Sequence, residues 1–432
     1  MFHKAILLWQ KVTSDDMARH GLMMAGFTFA HGVFSYLYQL AMGRMLQPAD
    51  FGILLSLTNL YLIVSVFSLT VRTAMTKYIS KYKAMGNMDV VGYLWRVYFK
   101  RTLILGVAAF LIAGFVSPAV SGFLRLGNIW YPIVLFSTLI FSFAVPLNWG
   151  TLNGLQRFIP LGWTYVFWVF LRLVLAVVLI KLGLGLYGGL APYIIANVVV
   201  LAITYYYLKS LPSGRGFKAD VMGIRSYVSL FFVAIFSHTL LINVDIVLVR
   251  HFLDEVQAGN YAAISTLGKV VMFAPVGIVL AMFPKTSGLH ESGKTHRPVL
   301  LKSVLLTTIV TGAIVVIYWA FPNFFVDLLG GTGKYTLAAP YLFKYSLAIL
   351  FFAVSYIFMN YFFSLNYIKV AYIFAGVAFL QVLLIVYFHS DIGQIVNVML
   401  ISGAFCLFAT LLFYQWWQRS VRMKTQKVLE SE

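Results

Sequence analysis

Apolar runs of about twenty residues follow one another from end to end of this chain, and short cationic gaps separate them. A hydrocarbon layer about 30 Å thick takes roughly 20 residues of α-helix. A closed barrel would need short strands of alternating character, and these runs are long and unbroken, so helices are expected. Of the 432 residues, 61% are apolar and only 10% are charged. That is too few charges for a soluble chain of this size, which points to an all-α polytopic membrane protein. The net charge of +19 invites a nucleic-acid reading. The cations recur between apolar runs instead of gathering on one face, so no nucleic-acid partner is expected. The single cysteine, Cys406, lies in an apolar run, which rules out an intrachain disulfide and a cysteine metal site.

The runs predict about twelve helices, near 18–43, 51–80, 90–116, 131–155, 159–181 and 187–209, then 223–251, 257–285, 299–320, 337–364, 368–388 and 393–417. An amphipathic cytoplasmic segment over 1–17 precedes them. A first lobe is expected over 18–209, a polar cytoplasmic linker over 210–222, a second lobe over 223–417 and a cytoplasmic tail over 418–432. Pro212, Gly214 and Gly216 break the chain in the linker. Gly183-Leu184-Gly185-Leu186-Tyr187-Gly188 spells a dinucleotide fingerprint, but it joins two membrane helices and reads as an outer turn.

The halves echo each other. A shift of 207 residues lays Phe29 on Phe236, His31 on His238 and Gly52 on Gly259 without a gap. Phe115-Val116-Ser117-Pro118 resembles Phe321-Pro322 between the third and fourth helices of each half. Gly154-Leu155-Gln156-Arg157-Phe158 sits like Ser364-Leu365-Asn366-Tyr367-Ile368. Duplicated halves in a membrane protein suggest a transporter with its site between them. Of the 32 lysines and arginines, 23 fall on one predicted side and six on the other. The heavy side is taken as cytoplasmic, with both termini there. The repeat is then parallel.

Several motifs in the first 160 residues resemble a known family. They are Ala41-Met42-Gly43-Arg44-Met45-Leu46 with Asp50-Phe51-Gly52, Lys77-Tyr78, and Leu152-Asn153-Gly154-Leu155-Gln156-Arg157-Phe158. The chain is similar to the oligosaccharide or polysaccharide flippases of the multidrug/oligosaccharidyl-lipid/polysaccharide exporter superfamily. The resemblance implies two six-helix lobes around a central cavity, one rocking against the other to alternate access. The implied substrate is a glycan on a polyprenyl pyrophosphate, turned from the cytoplasmic to the outer leaflet of the cell membrane during surface polysaccharide synthesis. Its partners would be the lipid-linked glycan, membrane lipid, polysaccharide polymerase or assembly proteins, and a coupling proton or sodium ion. Taken on their chemistry alone, the motif residues read as structural. Asp50 suits the start of the second helix. Gly43 and Gly52 allow close helix approach and a tight turn.

Ionisable residues inside apolar runs carry the functional signal, because lipid makes them costly. Lys269 lies ten residues past Gly259, roughly 15 Å deep. Arg172 sits mid-way along the fifth helix, and Asp245 lies about a turn and a half inside Arg250. Each needs a wet cavity or a partner, and Lys269 with Asp245 could simply be a structural pair. Arg72 follows about 20 apolar residues and could snorkel to the interface. His31 and His238, at repeat-equivalent positions, are candidates for the cavity and for proton coupling. Asn59 and Asn243 offer hydrogen bonds to a sugar, as do Asn148, Asn153 and Asn360; the plain alternative is interhelical bonding. Trp95, Trp130, Trp319, Trp416 and Trp417 lie near predicted helix ends, as interfacial anchors do.

No paired carboxylates, nucleophile triad or metal spacing appears, so no enzyme and no cofactor are expected. Two rivals to the flippase stand. One is an ion-coupled multidrug exporter of the same superfamily, which would want acidic cavity residues. The other is a non-transporting membrane subunit of a polysaccharide assembly complex.

Overall fold

A computed structural model describes residues 16–212 and 225–429. The predicted amphipathic N-terminal segment and most of the polar linker fall outside the described residues. Among the described residues every regular element is helical. This is what a chain in lipid must do, since each backbone N–H and C=O needs an internal partner.

By internal packing the chain divides into two compact units, Met1–Arg225 and Ser226–Glu432. The first contains α1 (Asp16–Met45), α2 (Pro48–Ala84), α3 (Met88–Phe123), α4 (Trp130–Phe136), α5 (Leu139–Ser142), α6 (Ala144–Gly154), α7 (Phe158–Leu179) and α8 (Gly185–Leu208). Nearly all of the second unit is built from α9 (Arg225–Phe252), α10 (Glu255–Gly268), α11 (Phe273–Glu291), α12 (Arg297–Ala320), α13 (Pro322–Gly330), α14 (Ala339–Ser364), α15 (Ala371–Tyr387) and α16 (Ile392–Leu429). Ten described stretches are long and apolar enough to cross a membrane. One of them, Phe158–Leu208, turns back on itself at Gly183 (φ 87°) and Gly185 (φ 50°), so that α7 packs on α8. Counting that hairpin as two, and adding the 30-residue α1, gives twelve helices of spanning length among the described residues.

Local chemistry sets the helix ends. Pro48 opens α2, where its missing N–H costs nothing. The Asp254 carboxylate accepts the Gln257 N–H at 2.8 Å and caps α10. Asp50 falls within the first turn of α2 instead of ahead of it, and its charge still suits the positive helix end. The turn after α6 closes with Arg157 N–H on Leu152 O (2.9 Å) and Gln156 N–H on Asn153 O (2.9 Å). The turn after α14 repeats it, with Tyr367 N–H on Phe362 O (2.9 Å) and Asn366 N–H on Phe363 O (3.0 Å). Gln156 and Asn366 both take φ 57°. These are two copies of one left-handed helix stop.

Three expectations need correction. The third helix does not end at 116: α3 runs through Pro118 to Phe123, whereas Pro322 starts a separate short helix. The echo between those two prolines is therefore one of sequence only. The fourth span, expected as one helix over 131–155, is interrupted twice, between α4, α5 and α6. Trp95 is no interfacial anchor. It is 2% exposed, and its indole N–H donates to Asn148 Oδ1 at 2.9 Å inside the first unit. Trp130, Trp319 and Trp416 are exposed.

In the first unit α2 packs along α6 through small residues. A Cβ on Gly150 would meet Arg72 O at 2.4 Å, and one on Gly154 would meet the Ile79 Cβ at 2.7 Å. Gly150 and Gly154, four apart, let two backbones meet as membrane helices commonly do. The Thr76 hydroxyl then reaches Gly150 O at 3.2 Å. In the second unit α14 is the central helix, packed by α10, α11, α12 and α16.

Candidate functional site

Three of the sequence-predicted residues come together in the first unit. Tyr165, Trp168 and Arg172 lie at i, i+3 and i+7 of α7, on one helix face. α1 packs on α7 and lays the His31 ring flat on Tyr165 at 4.0 Å and 7°, with Trp168 at 6.1 Å. The Arg72 guanidinium of α2 stands 5.5 Å from the Tyr165 ring and 5.9 Å from Trp149. The Arg172 guanidinium is enclosed by Tyr38 (4.5 Å), Tyr193 (4.6 Å) and Trp168 (5.1 Å). The result is a ladder of three rings, Tyr165, His31 and Trp168, with a guanidinium at each end, Arg72 beside Tyr165 and Arg172 beside Trp168.

Arg172 is only 7% exposed, and its Nε has no hydrogen-bond acceptor. Aromatic faces hold it where a carboxylate would ordinarily stand. Each such contact is worth about 0.5–2 kcal/mol as the site is desolvated. The Tyr38 hydroxyl donates to Gly189 O at 2.7 Å, which fixes the ring beneath the guanidinium. The His31 Nε2 is likewise buried without a hydrogen-bond partner.

The second unit holds a different arrangement. Asp245 of α9 is fully buried. Its Oδ2 accepts the hydroxyls of Tyr345 (2.7 Å) and Tyr261 (2.9 Å). Its Oδ1 makes no hydrogen bond and faces Lys269 Nζ at 3.9 Å. Gly268 leaves room for Tyr345, whose ring would stand 2.3 Å from a Cβ there. Lys269 opens a tight turn, Lys269–Met272, that divides the eighth span into α10 and α11. A helix that changes pitch at a charged residue often marks a functional hinge in membrane proteins. The Lys269 side chain keeps 20% of its surface exposed.

The 207-residue shift puts Tyr38 on Asp245 and Leu62 on Lys269. The duplicated frame therefore carries unlike chemistry: a carboxylate-paired ammonium in the second unit, and a ring-caged guanidinium in the first.

The remaining candidates lie elsewhere. His238 packs beside Tyr356 (4.7 Å) and Phe374 (6.1 Å), with its Nε2 buried and unpartnered. The Asn59, Asn243 and Asn360 amides donate to carbonyls of their own helices, at Leu55, Thr239 and Tyr356. Asn148 does bridge helices, through Trp95 and Thr204. The sequence reading missed Tyr38, Trp149, Tyr165, Trp168 and Tyr193 around the first site, and Tyr261 and Tyr345 around the second.

Residues 41–340 match the family model described as polysaccharide biosynthesis protein. Among solved structures, an inward-facing multidrug resistance MATE family transporter of the MOP superfamily is similar, with a TM-score of 0.75 and 14% identity over 91% of this chain and 96% of that one. The lipid II flippase MurJ in an inward closed conformation gives 0.68 at 12% identity, over 91% and 87% of the two chains. A MOP superfamily transporter from Pyrococcus furiosus, described as having a binding pocket of reversed polarity, gives 0.58 at 15%, over 91% and 95%. At these identities the likeness is one of fold, and the fold is that of the MOP superfamily. No curated protein sequence matches this one.

Proposed function

We propose that this chain, which belongs to the polysaccharide biosynthesis protein family, is a flippase that turns a lipid-linked oligosaccharide from the cytoplasmic to the outer leaflet of the cell membrane. The observation that carries this reading is the Arg172 cage with its ladder to Arg72. Two guanidiniums lie in membrane-spanning helices, and the inner one rests on aromatic faces with no carboxylate in contact among the described residues. A buried charge in a spanning helix is expensive and marks a functional site by default. A guanidinium presents a planar fork that grips phosphate oxygens in pairs. A polyprenyl pyrophosphate supplies those oxygens, and its hydrocarbon tail can remain in the bilayer throughout.

Lys269 is the candidate cation of the second unit in this reading. Asp245 already has two tyrosine hydroxyl donors, so it stays solvated by protein when the ammonium turns to substrate. A multidrug exporter for cationic compounds would want an available acid, and the Asp245 carboxylate is engaged by two tyrosines and a lysine. Both termini lie in the cytoplasm in this account. A coupling ion drives the cycle, and polysaccharide assembly proteins receive the glycan.

The test is Arg172→Gln beside Arg172→Lys, in cells where surface glycan is measured at matched protein level. The account expects Arg172→Gln to lose most surface glycan and Arg172→Lys to keep part of it. Full surface glycan with Arg172→Gln would remove the cage from the mechanism.

A further inference from the structure

Away from the ladder, α2 and α3 leave an apolar pocket of about 260 Å³ between them. Val71, Ala74 and Tyr78 of α2 and Tyr98 and Leu105 of α3 wall it, and Arg101 is its charged member. We propose that this pocket seats one anionic phospholipid, with its phosphate on Arg101 and the start of one acyl chain against Val71 and Leu105. The assignment is independent of what the protein transports.

Three observations support it. The first is depth. On α3, Thr102 to Phe123 passes twenty-two residues without a charge, and on α2, Phe51 to Val71 passes twenty-one. At about 1.5 Å per residue each covers the hydrocarbon layer, so Arg72 and Arg101 mark one membrane boundary on neighbouring helices. The Arg101 guanidinium stands 5.5 Å over the Tyr98 ring, one turn back along α3. A helical side chain leans toward the preceding turn, which carries this charge outward to headgroup level. Leu105, one turn the other way, lies at the top of the acyl chains.

The second is charge. The helix ends Arg72–Ala84 and Met88–Arg101 carry seven cations against one acid, Asp89. Lys83 is engaged with Leu155 O and Gln156, and Arg96 with Leu211 O and Pro212 O. Lys77, Lys100 and Arg101 are exposed. Anionic headgroups are drawn to such a cluster at the membrane surface, and the pocket beside it is apolar, as an acyl chain needs.

The third is the lining. The Thr102 hydroxyl is turned to Phe99 O at 3.0 Å and offers nothing to a sugar. The volume lies below the roughly 300–1,000 Å³ of sites for drug-sized ligands, and suits a stretch of one hydrocarbon chain.

The experiment uses the purified full chain, stripped of lipid in detergent and weighed intact by native mass spectrometry. Phosphatidylglycerol, phosphatidylcholine with the same chains, and a polyprenyl monophosphate are offered in competition. The expected result is one phosphatidylglycerol kept in preference to phosphatidylcholine. Arg101→Gln, an exposed site that leaves packing alone, weakens that retention about fivefold, the value of one cation at a lipid surface. Ala74→Phe fills the pocket and removes the bound lipid while a separate melting curve stays unchanged. Equal retention of the two phospholipids would overturn the assignment. So would unchanged retention in both variants, or displacement of phosphatidylglycerol by the polyprenyl phosphate at equal concentration.

Discussion

Asp245→Asn takes one charge from the second unit and leaves its partner in place. Lys269 Nζ lies 3.9 Å from Asp245 Oδ1. At an effective dielectric of about 20 that separation is worth about 4 kcal/mol, an upper bound. Lys269 is one-fifth exposed, so solvent screens part of it, and about 2–3 kcal/mol is the expected loss. The new side chain still offers an oxygen to Tyr261 and Tyr345, which confines the damage to the lost ion pair. Lys269→Ala should cost less, about 1–2 kcal/mol, because Asp245 keeps both tyrosine donors. The double change removes both charges of the pair. Melting in detergent should then place Lys269→Ala and the double variant close together, and Asp245→Asn below both. A double variant that melts at the sum of the two single losses would refute the pairing, since independent sites add. Transport by the same proteins answers a second question. If Lys269 were only the counter-ion of Asp245, the double variant would regain flipping. A stable double variant that stays inactive places Lys269 on the substrate.

Gly150→Val should lower stability by about 1–3 kcal/mol, because its Cβ would stand 2.4 Å from Arg72 O and the helices must part. Gly114→Ala, with nothing within 4 Å, should change the melting point little. Equal effects at the two positions would contradict the close α2–α6 contact. Reporter fusions after Lys83 and after Gln418 should read cytoplasmic, and fusions near Gln47, Gly127 and Asp254 external; the reverse at any of them would break the orientation. His31→Gln with His238→Gln should leave the pH profile of flipping unchanged, since both rings lie among aromatics with Nε2 unpartnered. A flattened profile would instead show that they carry the coupling proton.

Much of the fold could be read from apolar length alone, since lipid leaves the backbone few choices. The predicted helices fall within a few residues of those observed, apart from the ends of α3, α11 and α16, which run on further, and the short α13, which was not expected. The duplication was more legible than the sequence reading made it. Gly86 (φ 72°) and Gly293 (φ 65°) stop the second helix of each half, 207 residues apart like His31 and His238. Pro118 misled because a proline in a membrane helix is tolerated when neighbours satisfy the freed carbonyl. The breaks inside the fourth and eighth spans left no such mark, because pitch changes depend on packing.

The sites divide the same way. Burial cost alone pointed to Arg172, Lys269 and Asp245. The cage was half-written as the stripe Tyr165, Trp168 and Arg172, but rings abundant at membrane interfaces drew attention away from it. Tyr345 meets Asp245 across 100 residues of chain, and no local spacing announces such a pair.

Vesicles settle the central claim most directly. The purified full chain is reconstituted with a polyprenyl-pyrophosphate oligosaccharide in both leaflets, and an impermeant enzyme reads the sugar exposed outside. The account predicts that nearly all of the glycan becomes accessible with wild-type protein. It predicts that about half does so with Arg172→Gln and Lys269→Ala combined, as in vesicles without protein. Accessibility that stays near half with the wild type under every ion gradient, or that is complete in the double variant, would contradict it.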